Sequence, residues 1–273
     1  MMDFALLASG SKGNCFLLKD EGTTLQIDCG TTKKYLKECF QALHHKEEDT
    51  DALLITHDHS DHVSQIRMFQ DLNIYSPIEI PDIDTFRVRS LQKFHVGNLQ
   101  ITPIALSHDA LNTTGYIIED GQEKLTYVTD TGYLNERYYP LIQGSDYIVM
   151  ESNHDVEMLM RTRRPQYVKA RIYSDQGHLN NDACAEILDA VVSENTKEII
   201  LAHISQEGNT RQKALDTVCT AMHRHHGALH QKLVISAAGQ FEMIRKGEND
   251  EESDPGSVSC TVGMEHLADR TCF

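Results

Sequence analysis

The chain has 273 residues, of which 40% are hydrophobic, and carries a formal net charge of −16 with 15 histidines. That length and apolar content supply a buried core for one large or two small domains and exclude wholesale disorder. The acidic balance excludes a broadly basic, DNA-coating surface, but not a phosphate substrate approached through bound cations.

The opening FALLASGSKGNCFLL is broken by Ser, Gly, Lys and Asn. Neither a signal peptide nor a membrane span is expected there, and a cytoplasmic location follows as the expectation. FALLASG, NCFLLKD and TTLQIDCG read as strands separated by glycine turns. Residues 31–44 have helical apolar spacing at Tyr35, Leu36, Phe40 and Leu43, with Thr31 or Thr32 as N-cap. DALLIT (51–56) is a short buried-strand run, and residues 63–71 a short helix. TFRVRSL, LQITPIAL, TTGYIIED, KLTYVTD and SDYIVMES continue the strands, and 181–193 forms a helix. EIILAHIS, a helix over 211–226, KLVISAAG and QFEMIRK close the pattern. Strand blocks, each closed by a helix, occur in both halves, which predicts an α/β layered sandwich with sheets inside and helices outside. Residues 1–246 are expected to form this domain, and the acidic, turn-rich 247–273 a mobile tail. The seven cysteines are odd in number and lack any CxxC pair, so they read as reduced thiols used as apolar filler.

The chemistry concentrates in His57-Asp58-His59-Ser60-Asp61-His62, directly after a buried strand. An HxHxDH pattern arises by chance in roughly one such chain in 300, so an exposed polar loop is the weaker explanation. In a tight turn, alternate side chains converge on two neighbouring points, His57 and His59 on one metal, Asp61 and His62 on another. Further ligands are required, and His108, Asp130 and His203 each stand at the end of an apolar strand.

The series IDCG (27–30), THDHSDH (56–62), SHDA with GY (107–116), VTDTG (128–132) and LAHIS (201–205) resembles the metallo-β-lactamase superfamily. The resemblance implies a four-layer αβ/βα sandwich of two mixed β-sheets. It implies one divalent ion on His57, His59 and His108, a second on Asp61, His62 and His203, and Asp130 bridging them. Zinc or manganese suits such donors, and iron is a third possibility. MESNHD (150–155) and QGHLNNDACAEIL (176–188) look like features of the YycJ/WalJ-like (VicX) subgroup, related to RNase Z-type phosphodiesterases. That subgroup implies a 5′-to-3′ DNA exonuclease. Three features depart from the pattern: Gln65 where glycine is usual, Asn180 where serine is usual, and a short 69–95 segment.

On this reading Asp61 binds the second metal and orients the attacking water. His178 is the leaving-group acid or a donor to a phosphate oxygen, beside a helix N-terminus with amides for phosphate. Asp28 orients a ligand loop rather than binding metal. Asn153, His154 and Lys12 are expected to touch substrate, Glu151 to line the site, and His154 alternatively to position His178. His223, His225, His226 and His230 read as a solvated face, and Arg163-Arg164 as soluble surface. DNA or another phosphodiester is the expected substrate, with the grip small or supplied by oligomerisation, and no membrane partner. Two rivals stay open: a small-molecule hydrolase of the same fold, acting on a thioester, lactone, lactam or cyclic phosphodiester, and a non-enzymatic, metal-stabilised regulator.

Overall fold

Successive side chains of a strand face opposite sides of its sheet, and here each side meets a different core. The computed structural model describes residues 1–226, 233–247 and 259–262. Strands β1 (Asp3–Ala8), β2 (Cys15–Asp20), β3 (Thr23–Ile27), β4 (Ala52–Leu54), β5 (Asn73–Ser76) and β6 (Phe86–Arg87) form one sheet with β14 (Ile244–Arg245). Its order is β14-β1-β2-β3-β4-β5-β6. Strands β7 (Phe94–Val96), β8 (Leu99–Ala105), β9 (Thr114–Glu119), β10 (Lys124–Val128), β11 (Tyr147–Glu151), β12 (Glu198–Ala202), β13 (Leu233–Ala237) and β15 (Ser259–Val262) form the other. Its order is β15-β13-β12-β11-β10-β9-β8-β7.

Phe4, Leu6, Phe16 and Leu18 point between the sheets and join Tyr127, Tyr147, Val149 and Ile200 in a common core. The alternating Ala5, Leu7, Cys15 and Leu17 face outward and pack with Leu36 and Phe40 of α1 (Lys33–Ala42). On the far side, Ile148, Met150, Ile199 and Leu201 pack against Cys184 and Leu188 of α6 (Asn181–Val191). Leu215 and Met222 of α7 (Arg211–His226) complete that layer. Both faces of these strands are covered, which is why they read in sequence as near-continuous apolar runs. The result is helix, sheet, sheet, helix, the four-layer α/β sandwich.

The strand directions then position the chemistry. β3, β4 and β5 are mutually parallel, as are β10, β11, β12 and β13. Their C-terminal ends emerge along one edge of each sheet, the usual place for ligands in open α/β sheets. Asp28, His57, Asp130, Glu151 and His203 all sit at or just beyond those ends.

Several expectations change. The 63–71 helix is instead α2 (Ser60–Val63) followed by a 3-10 turn at Ile66–Phe69, so the helix begins inside the HxHxDH segment. TFRVRSL and QFEMIRK contribute only two paired residues each, because both lie at an edge of their sheet. Helices α3 (Tyr139–Ile142), α4 (Val156–Arg161) and α5 (Gln166–Tyr173) are too short to show a clear apolar period. Within the region expected to be a mobile tail, Ser259–Val262 pairs antiparallel with β13. The acidic composition of the neighbouring residues had hidden a four-residue run with β-branched Thr261 and Val262. Residues 248–258 and 263–273 lie outside the described residues. Cys15, Cys29, Cys39 and Cys184 are free and buried. Cys219 is disulfide-bonded, against the expectation of reduced thiols throughout, since sequence spacing does not reveal which thiols fold together. No helix among the described residues is long and apolar enough to cross a membrane.

Candidate metal centre

The centre is built on Asp28, which follows β3 with φ 57°, a left-handed backbone that aspartate tolerates better than most residues. Fully buried, its Oδ2 accepts from His62 Nδ1 at 2.7 Å and from Thr56 Oγ1 at 2.8 Å, while Oδ1 accepts from Thr56 N at 2.9 Å. Asp28 thus contacts His62 and Thr56 from behind the ligand loop. The loop is clamped from below: Cys29 N donates to His62 O at 2.7 Å and Asn14 N to Asp61 O at 2.8 Å. A Cβ on Gly30 would lie 1.6 Å from Asp61 O, so the two backbones can approach this closely only across a glycine.

All seven residues expected as metal ligands come together. Donor atoms of His57, His59 and His108 lie within 4.8 Å of one another, as do those of Asp61, His62 and His203. Asp130 stands between the triads. Its Oδ2 is 3.3 Å from His62 Nε2, and its Oδ1 is 3.4 Å from His203 Nε2 and 3.9 Å from His108 Nε2. Asp130 and His203 share the left-handed backbone of Asp28, with φ of 57° and 53°. Such strained conformations persist where the surroundings over-determine them, and they gather at functional sites.

The donor set fits a metal. His57 Nε2, His203 Nε2 and Asp130 Oδ2 are buried without any hydrogen-bond partner, and each such atom costs about 1–3 kcal/mol unless something fills its place. Imidazole and carboxylate are the donors that divalent transition ions take. The opposite ring nitrogens are fixed by partners that leave the inward nitrogen free. His57 Nδ1 lies 3.0 Å from Thr56 Oγ1, and His108 Nδ1 donates to Gly177 O at 2.9 Å. His203 Nδ1 lies 2.9 Å from Glu151 Oε1. Burial drives the pKa of His57 far down, and His62 adds to that effect; burial likewise lowers His108 against the pull of Asp130. Both are therefore neutral imidazoles at physiological pH. Burial opposes charge on His62 too, but Asp130 and Asp28 lift its pKa well above the ordinary value.

The remaining candidates divide. His178 is at the rim, with Nδ1 2.7 Å from Glu151 Oε1 and 3.9 Å from Asp130 Oδ1, its ring stacked on His203 at 5.0 Å. Glu151 thus holds His178 and His203 together, and its Oε2 accepts from Thr131 N at 2.8 Å. That makes Glu151, not His154, the residue that positions His178. The substrate roles expected of Asn153 and His154 are corrected. Asn153 is 5% exposed and donates to His203 O at 2.8 Å, while His154 is wholly buried. The chain turns inward after β11 to pack beneath α6, with Asn181 N donating to His154 O at 2.9 Å. The α6 N-terminus is also less open to phosphate than expected, because Asn180 Oδ1 caps Ala183 N at 2.9 Å. Asn180 thereby does the capping that serine would do in its place. Gln65 donates its N–H to Cys29 O at 3.0 Å and its Nε2 to Ser64 Oγ at 3.4 Å. Lys12 is exposed on the turn before Asn14, with its backbone N–H on Gln240 Oε1 at 3.0 Å. Arg164 makes a two-pronged pair with Glu207. His223 lies on α7, its Nδ1 2.7 Å from Cys219 O; His230 lies outside the described residues.

Sequence reasoning missed four contributors. Asn14 Nδ2 lies 2.9 Å from His62 Nε2, Thr56 joins His57 to Asp28, and the Gly177 carbonyl orients His108. Asp109 Oδ1 sits 3.2 Å from His108 Nε2, and its Oδ2 accepts from Arg171 at 2.6 Å. Thr56 and Asp109 are sequence neighbours of ligands, a usable signal. Nothing in one sequence marks a backbone carbonyl or an asparagine forty-eight positions from its histidine.

The family model described as a beta-lactamase superfamily domain matches residues 23–204. The chain is 34% identical over 229 residues to exodeoxyribonuclease YycJ of Bacillus anthracis, a match covering 78% of this chain and 86% of that protein. This chain belongs to the metallo-β-lactamase superfamily. Within it the chain is also 31% identical to exodeoxyribonuclease WalJ of Streptococcus pneumoniae (strain D39), over 77% of this chain and 84% of that one. The fold is shared with the metallo-beta-lactamase fold protein YhfI from Bacillus subtilis, at a TM-score of 0.65 and 17% identity. That match covers 89% of this chain and 99% of the other. Membership and the His/Asp cluster together make the chain a metal-dependent hydrolase.

Proposed function

We propose that the chain hydrolyses DNA phosphodiesters as a 5′-to-3′ exonuclease, with His57, His59 and His108 holding one divalent ion and Asp61, His62 and His203 a second. The observation that carries this is the position of Asp130 between the two triads, its oxygens facing ligands of each. The names of the two relatives, both exodeoxyribonucleases, support DNA as the substrate. Zinc or manganese is the proposed metal, on the strength of the mixed imidazole and carboxylate donors.

Two ions bound there would supply Lewis-acid stabilisation and an acidified nucleophile for in-line displacement at phosphorus. The chain's own residues do the rest. Asp61, half-buried at the mouth of the centre, offers a carboxylate that accepts a hydrogen bond from the attacking water and aims it. His178, with Nδ1 engaged by Glu151, keeps Nε2 for the departing oxygen. That contact fixes the ring's orientation, which aims Nε2 as a proton donor at the leaving alkoxide. Asp28 and Glu151 hold His62 and His203 in single orientations, so no reorganisation is needed as charge develops.

The test is hydrolysis of end-labelled DNA by the purified protein with Mn²⁺ or Zn²⁺, beside His57→Ala and Asp61→Ala variants. Nucleotide release from the 5′ end by the wild type alone is expected. Turnover of a thioester or lactone panel with DNA left intact would replace this reading with the small-molecule one.

A further inference from the structure

A cleft of about 740 Å³ opens beside the metal centre, and it is formed by the very segment whose sequence is atypical for the subgroup. Arg87, Arg89 and Ser90 line one side, Asn112 and Thr113 another, and Glu79 is the single carboxylate among its described lining residues. Its floor is continuous with the ligand loops. Leu106, two residues before His108, and Thr114 both line it. Thr114 N donates at 3.0 Å to the carbonyl of Thr56, the residue before His57.

The cleft has the chemistry of an anion site. Arg87 and Arg89 are exposed, and neither guanidinium has a hydrogen-bond or ion-pair partner among the described residues. In a chain of net charge −16, two unneutralised arginines in one cleft are a local reversal of sign. Thr113 is 1% exposed and its hydroxyl has no protein partner. The wall is also braced. Ser90 Oγ lies 3.0 Å from the Tyr138 hydroxyl and accepts from Ala105 N at 3.2 Å, and Val88 N donates to Ser76 O at 2.9 Å. The arginines therefore project from a fixed rim.

We infer that this cleft binds the backbone phosphates of a single nucleic-acid strand next to the scissile bond, with Arg87 and Arg89 as the phosphate contacts. Arginine's planar fork matches a phosphate in two-pronged geometry, and the metal centre itself recognises only the bond it cleaves. The inference rests on the nuclease reading given above and supplies a small local grip in a chain of net charge −16.

The experiment measures binding and turnover separately. A fluorescein-labelled single-stranded oligonucleotide is titrated by anisotropy into metal-free wild type, Arg87→Ala/Arg89→Ala and Arg87→Lys/Arg89→Lys, across a range of salt. Hydrolysis of bis(p-nitrophenyl) phosphate by the metal-loaded proteins reports on the centre alone. The alanine pair is expected to weaken oligonucleotide binding about tenfold or more and to reduce the slope of log K against log salt by about 1.4, at 0.7 per phosphate released. The lysine pair should retain most of that slope, and all three proteins should turn over the small diester within about twofold of one another. Unchanged binding and salt slope in the alanine pair would overturn the cleft as the phosphate site. A wild type that hydrolyses the small diester but neither binds nor cuts DNA would instead overturn the nuclease reading.

Discussion

Asp28→Asn separates the orienting of a ligand from the ligand itself. The substitution keeps size, and asparagine tolerates the φ of 57° at this position. The Oδ1 contact to Thr56 N survives, but an amide in place of Oδ2 turns its hydrogens toward His62 Nδ1, 2.7 Å away, and Thr56 Oγ1, 2.8 Å away. His62 then loses the acceptor that keeps its proton on Nδ1 and its lone pair on Nε2. Loss of such an outer partner weakens metal binding about 10- to 100-fold, or roughly 1.4–2.7 kcal/mol. The effect should fall on the ion held by Asp61, His62 and His203, and leave the site of His57, His59 and His108 within a few-fold. Competition against a chromogenic chelator, titrating metal-free protein, resolves the two affinities. The reasoning is refuted if both affinities match wild type, or if the His57 site weakens while the His62 site does not.

Gly30→Ala places a methyl 1.6 Å from the Asp61 carbonyl; we expect about 3 kcal/mol or more of destabilisation by urea unfolding, together with reduced metal content. Gly22→Ala, with open space at its missing Cβ and a φ of 89°, should cost only about 1 kcal/mol, as expected for backbone strain alone. His178→Ala should lower DNA turnover about 10²- to 10⁴-fold at unchanged metal content, yet spare bis(p-nitrophenyl) phosphate, whose leaving group needs no proton; equal losses on both substrates would remove the acid role. Burial lowers His45 from 6.5 to about 4, so as pH falls the unfolded chain takes its proton first. His45 stability is then fully present above about pH 6.5 and is lost toward pH 4, by about 2–3 kcal/mol. His45→Gln should flatten that part of the urea midpoint against pH, and an unaltered profile would show that other groups govern it.

The fold was legible where two-sided burial left continuous apolar runs, as in IVM of β11 and IIL of β12, and where a polar ligand type closed each run. His57, Asp130 and His203 were visible for that reason. Edge strands were not, since β6 has both residues exposed and offers no alternation to read. Glu151 was seen only as a residue lining the site, because its double contact with His178 and His203 depends on the parallel register of β11 and β12. Asn153 and His154 misled in the opposite direction. They read as chemistry because they are polar and follow a strand, whereas the chain there turns beneath α6, burying His154 and holding Asn153 against His203. Arg87 and Arg89 carried no signal at all until the cleft brought them onto one lining with Leu106 and Thr114.

The central claim is a pair of ions shared through Asp130, and metal content measured with nuclease activity on one preparation tests it most directly. Two metal equivalents per chain are expected in active wild type, with activity and metal falling together in Asp130→Ala. A single tightly held ion in a protein that cuts DNA fully, or an Asp130→Ala variant with both ions and full activity, would contradict it.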